Sequence, residues 1–158
     1  MIIHPIPPLF DKNSKTLILG SFPSVKSRES SFFYGHKQNR FWQVISKIFD
    51  EKTPVTIEEK KQLILSNNLA LWDVIGSCDI DGSADSSIKN AKANDLTIIL
   101  NTAQIQRIFV NGKTALKYYD KLIKPTINRQ AVLLPSTSPA NAVYSLEKLV
   151  EEWKIIKN

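Results

Sequence analysis

The sequence predicts an α/β fold in three layers, α/β/α, with a central, mostly parallel sheet of four strands. Four short apolar runs, at residues 16–19, 69–72, 108–110 and 131–134, are each bounded by turn residues. Apolar residues follow one another in these runs instead of alternating with polar ones, which is typical of strands buried on both faces of a sheet. Longer segments with helical spacing lie between and after them, and this alternation indicates a parallel sheet between helical layers.

Three of the longer segments are predicted as amphipathic helices. Their apolar stripes run through residues 41–49, 115–123 and 143–156, the last forming a long C-terminal helix. A chain of 158 residues without an internal repeat or linker fits one domain, so we expect a single domain over residues 1–158. A chain of this length can bury a substantial core and needs neither disulfides nor a structural metal to fold.

Composition excludes several classes of protein. Hydrophobic residues make up 42% of the chain and charged residues 23%, as in ordinary globular proteins. No apolar run approaches the roughly 20 residues that span a bilayer, and the first residues lack the pattern of a signal peptide, so we expect a cytoplasmic protein without a membrane segment. With one cysteine, Cys78, and two histidines, His4 and His36, we expect neither a disulfide nor a metal centre.

The charge of the chain favours an anionic partner. Lys and Arg total 21 against 15 Asp and Glu, a formal net charge of +6, and nucleic acid is the commonest partner of such a protein. Four cations lie near the aromatic residues 32–34, namely Lys26, Arg28, Lys37 and Arg40. This mixture suits phosphates and bases. The alternative is a long surface loop whose aromatic side chains pack back into the core.

Two predicted strands run into polar loops, at residues 20–39 and 135–141. Ligands of open parallel sheets bind outside the carboxyl ends of the strands, so we expect a site built from both loops. In the first loop, Gly20 would let the backbone approach a ligand closely, and Pro23 would stiffen the turn. Phe22 lies between them and is available to stack on a base.

The second loop contains Ser138 followed by Pro139. This pair predicts the start of a helix, with a capping hydroxyl and then proline at the first helical position. The free N–H groups of such a start can bind a phosphate, and Ser136 and Thr137 would add hydroxyl donors. Plain capping of the helix is the alternative, and the two interpretations are compatible.

Asn39 directly precedes the first amphipathic helix. Asparagine is among the best N-cap residues, so capping is its default role. The functional alternative is an amide that holds a water molecule or a base edge. Sequence physics alone favours the cap.

Five stretches occur in the order in which one known family carries them. They are residues 20–24 (GSFPS), 33–42 (with FYGH and NRFW), 73–75 (DVI), 82–86 (GSADS) and 134–141 (LPSTSPAN). Together they resemble the uracil-DNA glycosylase superfamily, and within it the hypoxanthine (deoxyinosine) DNA glycosylase branch. The stretches span most of the chain, and five in order are far more specific than one.

The resemblance implies the three-layer fold and a monofunctional DNA repair glycosylase. Such an enzyme flips a deaminated base out of double-stranded DNA, hydrolyses its N-glycosidic bond and leaves an abasic site, without a cofactor or metal; we expect it to be a monomer. Uracil-removing relatives carry Asp or Asn where this chain has Ser21, and His or Asn where it has Leu134. Both departures argue against efficient uracil excision and favour hypoxanthine.

The resemblance also implies roles for individual residues. In the hypoxanthine branch the catalytic asparagine lies in the segment that matches Asn39, so catalysis becomes the preferred interpretation of this residue. The residues expected to bind the base are Gly20, Ser21, Phe22, Pro23, Tyr34 and His36. Those expected to bind DNA are Lys37, Arg40, Ser136, Thr137, Ser138 and Asn141. Two alternatives stay open: a uracil-, xanthine- or mismatch-specific glycosylase of the same superfamily, and a non-catalytic nucleic-acid-binding domain.

Overall fold

The computed structural model describes residues 1–157, in which the strands form two sheets. The strands are β1 (Ile2–Ile3), β2 (Thr16–Gly20), β3 (Leu69–Asp73), β4 (Ile75–Asp79), β5 (Lys89–Ala93), β6 (Arg107–Asn111) and β7 (Val132–Leu134). One sheet has the order β3-β2-β6-β7 and is parallel throughout. Its strands match the four predicted apolar runs to within one residue at either end.

Helices flank this parallel sheet, which confirms the predicted fold class. They are α1 (Val25–Ser30), α2 (Phe41–Ile48), α3 (Ile57–Ser66), α4 (Thr97–Leu100), α5 (Lys113–Tyr118), α6 (Lys124–Ile127) and α7 (Leu146–Trp153). A π-helical segment, Tyr119–Ile123, joins α5 to α6, and 3-10 helices cover Asp85–Ser87 and Lys154–Lys157. None of the helices within residues 1–157 is long and apolar enough to cross a membrane.

The apolar stripes of the helices pack into the core beside the sheet. Phe41 of α2 and Trp153 of α7 are fully buried, and their rings meet edge to face at 5.8 Å between centroids. Such aromatic pairs add to the free energy gained from burial. The Trp153 indole N–H also donates to the carbonyl oxygen of Pro135 at 2.9 Å. Packing of the last helix therefore fixes the start of the loop that follows β7.

Three expectations about the C-terminal third were wrong. β7 is not buried on both faces, because it is the edge strand of the sheet, and Val132 and Leu133 are about 40% exposed or more. The last helix does not include Val143, which is 83% exposed; it begins after Ser145, whose Oγ accepts from the N–H of Lys148. Ser138 begins a turn rather than a helix, so no helix N-terminus is available there for a phosphate.

The second sheet, with the order β1-β4-β5, is antiparallel and was not predicted. β4 and β5 are rich in polar and small residues, a composition typical of turns. Through β1 the chain's first residues lie against β4, and the N–H of His4 donates to the carbonyl oxygen of Gly76 at 2.8 Å. This pairing carries His4 to the carboxyl end of β3, in the other sheet.

Candidate active site

A pocket of about 420 Å³ opens at the carboxyl edge of the parallel sheet, a size typical of small-ligand sites. Its wall is built from the loops and residues that end β2, β3, β6 and β7. The predicted site residues that line it are Gly20, Ser21, Phe22, Pro23, Tyr34, His36, Asn39, Ser136, Thr137 and Ser138. Lys37, Arg40 and Asn141 are not part of its lining.

Asp73, on the floor of the pocket, forms a buried pair with His4, which is not part of the lining. Asp73 is 4% exposed, and its Oδ2 lies 2.7 Å from His4 Nε2. His4 Nδ1 accepts from the N–H of Ile6 at 3.2 Å, so the ring proton is on Nε2 and is donated to Asp73. A neutral histidine therefore holds one carboxylate oxygen, and the other oxygen remains for the pocket.

Gly20, opposite Asp73 in the sheet, leaves room for that second oxygen. A Cβ at position 20 would collide with Asp73 Oδ1 and would lie 3.1 Å from the Tyr34 hydroxyl oxygen. Any larger residue would displace the carboxylate from the pocket floor. Glycine is thus required here because of a close approach, as the sequence suggested, although the approaching group belongs to the protein.

Tyr34 places a second polar group beside the carboxylate. Its hydroxyl is buried near the side chain of Asn111 and forms no well-aligned hydrogen bond within residues 1–157. Burial raises the pKa of Tyr34 far above its usual range, and the charge of Asp73 adds to the rise. Its ring stacks on Phe41, with centroids 4.0 Å apart, and its φ is +52°. A bulky residue in the left-handed region is uncommon and is often associated with a functional site.

Asn39 enters the pocket from the end of the first loop. Its Oδ1 accepts from the backbone N–H of Phe41 at 2.9 Å and from the hydroxyl of Thr137 at 2.8 Å. The first bond is cap-like, although Arg40 occupies the N-cap position of α2. The capping role and the ligand-binding role considered from the sequence therefore belong to different atoms of one amide. The oxygen is bound to the protein, and the nitrogen remains for a ligand.

Comparisons with known proteins agree with this arrangement. The sequence model of the uracil DNA glycosylase superfamily matches residues 7–157. The chain belongs to this superfamily. The glycosylase is 32% identical to a hypoxanthine DNA glycosylase of Methanosarcina acetivorans, over 99% of this chain and 98% of the relative, and 30% identical to one of Methanosarcina barkeri, over 85% of each.

A solved structure shares the fold as well. It is a solution NMR structure from Methanosarcina acetivorans, described as a candidate uracil DNA glycosylase. It superposes with a TM-score of 0.83 at 29% identity and covers 99% of this chain and 98% of its own. Members of the superfamily are DNA glycosylases, so this protein is an enzyme that acts on DNA.

The cations of the glycosylase differ in how far they are free to bind DNA. Arg40 donates to three carbonyl oxygens between β7 and α7: those of Ser138 (3.1 Å) and Asn141 (3.0 Å) in the second loop, and that of Tyr144 just beyond it. These bonds clamp the loop, so we expect Arg40 to stabilise the protein rather than to provide the predicted phosphate contact. Lys37 is exposed and forms no ion pair within the described residues.

The other two cations also have partners in the protein. Arg28 donates to the carbonyl oxygen of Gly82 at 2.7 Å and lies over the ring of Phe22. Lys26 pairs with Glu29 at 3.6 Å, an exposed pair of small energetic value. Nearby, the aromatic pair at positions 32 and 33 is buried in the core, which was the alternative considered for this loop.

The polar residues of the second loop mostly bind one another. Thr137 is fully buried, so the phosphate contact predicted for it is not available. Asn141 Nδ2 donates to the carbonyl oxygen of Ser136 at 3.0 Å, and the N–H of Ser138 donates to Ser136 Oγ at 3.1 Å. In the first loop, His36 Nδ1 accepts from the N–H of Gln38, which leaves its Nε2 for a ligand.

Three features of the site had no role assigned to them from the sequence. His4 lies 69 residues from its partner Asp73, and no local pattern links the two. Asn111 ends β6, and the rule that ligands bind at carboxyl strand ends could have identified it. Asp85 accepts from Ser21 Oγ at 3.3 Å, and the loss of surrounding water raises the pKa of its carboxyl group.

Lys37 and Arg40 are expected to respond differently to substitution. Lys37→Ala should reduce the slope of log binding constant against log salt concentration by about one unit, because one phosphate contact is lost. Arg40→Ala should leave that slope nearly unchanged and lower the melting temperature, because the clamp on the second loop is lost. Binding titrations at several salt concentrations, with thermal unfolding in parallel, measure both effects. An equal reduction of the slope in the two variants would mean that Arg40 also contacts a DNA phosphate.

Proposed function

We propose that this glycosylase removes hypoxanthine from DNA by flipping the deaminated nucleotide into the pocket and hydrolysing its N-glycosidic bond. The observation that carries the proposal is the Asp73 carboxylate on the pocket floor, held by His4 and open on its second oxygen. The names of the relatives at 32% and 30% identity support the same substrate.

The carboxylate suits deaminated bases because deamination adds one ring N–H that can donate to it. Deamination turns N1 of adenine from an acceptor into the N1–H donor of hypoxanthine, and it turns N3 of cytosine into the N3–H of uracil. Asp73 accepts from such a donor and repels the lone pair of the undamaged base. Guanine also carries an N1–H, but its stable pair with cytosine makes flipping more costly than for a poorly paired base.

The remaining pocket groups fit the rest of a purine. Phe22 offers a ring on which the base stacks. The Tyr34 hydroxyl, buried beside Asp73, stays protonated and adds no second charge next to the carboxylate. Ser21 and Leu134 stand where uracil-removing relatives carry their characteristic polar residues, and this difference favours hypoxanthine over uracil.

The chemistry requires little more than position and charge. The bond between C1′ and N9 breaks through an oxocarbenium-like transition state, as in sugar hydrolysis, and its electron pair goes to the base. The oxygen of a water molecule bonds to C1′, and one of its protons ends on the departing base. Because the sugar is then strongly electrophilic, preorganised hydrogen bonds to the base and the water suffice.

A comparison of substrates checks this proposal. Single-turnover rates are measured on matched duplexes containing hypoxanthine, xanthine or uracil, with alkali used to cleave abasic sites. We expect hypoxanthine to be released fastest, with the same rate when EDTA is added. Equal or faster release of uracil would overturn the assignment of hypoxanthine as the preferred substrate. Loss of activity in EDTA would overturn the metal-free mechanism.

We further propose that the enzyme works as a monomer in the cytoplasm and prefers double-stranded DNA. Flipping from a duplex lets the enzyme select poorly paired bases, and the net charge of +6 suits a duplex. Light scattering with and without a duplex tests the monomer, and rates on matched single strands test the strand preference.

A further inference from the structure

Two amides and one hydroxyl form a hydrogen-bonded chain beside the pocket. Asn111 ends β6, Thr137 lies in the second loop, and Asn39 ends the first loop. Asn111 Nδ2 lies 3.0 Å from Thr137 Oγ1, and Thr137 Oγ1 lies 2.8 Å from Asn39 Oδ1. Thr137 is 0% exposed, so the hydroxyl at the centre of the chain has these two protein partners in place of solvent.

Backbone N–H groups fix the direction of this chain at both ends. The N–H of Thr137 donates to Asn111 Oδ1 at 3.0 Å, and the N–H of Phe41 donates to Asn39 Oδ1 at 2.9 Å. A backbone N–H can only donate, so both amide oxygens are identified by their partners. Asn111 Nδ2 must then donate to Thr137 Oγ1, and the single hydroxyl hydrogen of Thr137 goes to Asn39.

The direction of the chain decides which end of Asn39 meets a ligand. Asn39 Oδ1 accepts two hydrogen bonds, which occupy both of its lone pairs. Asn39 Nδ2 has no partner within residues 1–157, and Asn39 lines the pocket. The group offered to the flipped base is therefore an NH2 donor, rather than an acceptor that could orient water.

We propose that Asn111 is a positioning residue: acting through Thr137, it holds the Asn39 amide so that Nδ2 donates to an acceptor of the departing purine. This inference rests on the proposed function. As C1′–N9 breaks, negative charge develops on the base, and a fixed donor stabilises that charge more than it stabilises the bound substrate. Loss of the chain should therefore slow base release with little effect on DNA affinity.

Asn111→Asp tests the direction of the chain with almost no change of shape. The new side chain still accepts from the N–H of Thr137, but its second oxygen now accepts from the Thr137 hydroxyl, which can no longer donate to Asn39. We expect single-turnover release to slow by about tenfold to a hundredfold, with an unchanged dissociation constant for a hypoxanthine duplex. Asn101→Asp, at an exposed asparagine outside the pocket, controls for the change in net charge, and the Thr137 variants below test the chain without a charge in the pocket.

Thr137 provides a second pair of variants without a charge change. Thr137→Ser keeps the hydroxyl and should keep release within a few-fold of wild type. Thr137→Val keeps the shape, removes the hydroxyl and should be as slow as Asn111→Asp. Equal rates for the serine and valine variants, or a wild-type rate for folded Asn111→Asp, would overturn the positioning role.

The same set of measurements separates this inference from the proposed function. If the wild-type protein releases no hypoxanthine, the proposed function is wrong. If the wild type is active and the variants are equally active, the hydrogen-bonded chain has no positioning role. Hydrogen exchange of the side-chain amides, measured by NMR, tests the hydrogen-bonded chain independently of enzyme activity. We expect slow exchange for Asn111 Nδ2 and fast exchange for Asn39 Nδ2, and the reverse order would overturn the inference.

Discussion

Replacing Asn39 by alanine is expected to slow single-turnover release of hypoxanthine by roughly a hundredfold or more, the scale of losing one preorganised donor. The amide nitrogen of Asn39 is the end that faces the pocket, because its oxygen accepts from Phe41 and Thr137. Alanine also removes the cap-like bond to Phe41, at a cost of about 1 kcal/mol in the free energy of unfolding. Rates and thermal unfolding are measured on the same preparation.

Asn39→Asp separates the donor from the cap. Aspartate keeps an oxygen for the N–H of Phe41 and the hydroxyl of Thr137, so the melting temperature should stay near that of wild type. Its second oxygen replaces the NH2 group, so base release should be as slow as in the alanine variant. A nearly normal rate for Asn39→Asp would mean that the residue acts as an acceptor, and a normal rate for folded Asn39→Ala would reduce it to a helix cap.

Asp73→Asn is expected to reduce release of hypoxanthine by roughly a hundredfold or more, since a group that accepts a hydrogen bond from the base is replaced by one that donates. His4 Nε2 donates to one oxygen of Asp73, so the asparagine oxygen stays with His4 and its NH2 takes the place of the oxygen beside Gly20. Two donors, this NH2 and the N1–H of the base, would then face each other. Single-turnover rates and fluorescence titration with a hypoxanthine duplex report the loss.

Asp81→Asn is the matched control for Asp73→Asn. Asp81 is exposed, follows β4 closely in the chain and does not line the pocket, so its neutralisation removes the same charge without touching the base. We expect a wild-type rate for this variant. If folded Asp73→Asn released hypoxanthine as fast as Asp81→Asn, the carboxylate would have no part in base recognition.

The parallel sheet could be predicted because three of its four strands are largely buried, and burial is visible in their apolar composition. β2 and β3 are buried at every position, and their near-continuous apolar runs mark them in the sequence. The antiparallel sheet could not be predicted in this way. β5, with the sequence KNAKA, is mostly exposed and held by pairing with β4, so its residues carry no apolar pattern.

The position of the pocket followed from one rule about parallel sheets, but the partners inside it did not. The carboxyl ends of β2 and β7 pointed to the two loops that line the pocket. Arg40 and Thr137 looked like DNA contacts because their residue types suit phosphate, and only the structure shows that Arg40 binds carbonyl groups of the second loop and that Thr137 binds Asn39 and Asn111. Hydrogen-bond partners of this kind depend on tertiary geometry, which residue spacing does not encode.

The most direct test of the proposed function is to identify what the enzyme releases from DNA. Purified protein is incubated with a duplex that carries one hypoxanthine, and the products are resolved by mass spectrometry before and after alkali. We expect free hypoxanthine and a full-length strand with one abasic site, which alkali then cleaves. Absence of the free base, or a strand cut before alkali is added, would contradict the proposed function.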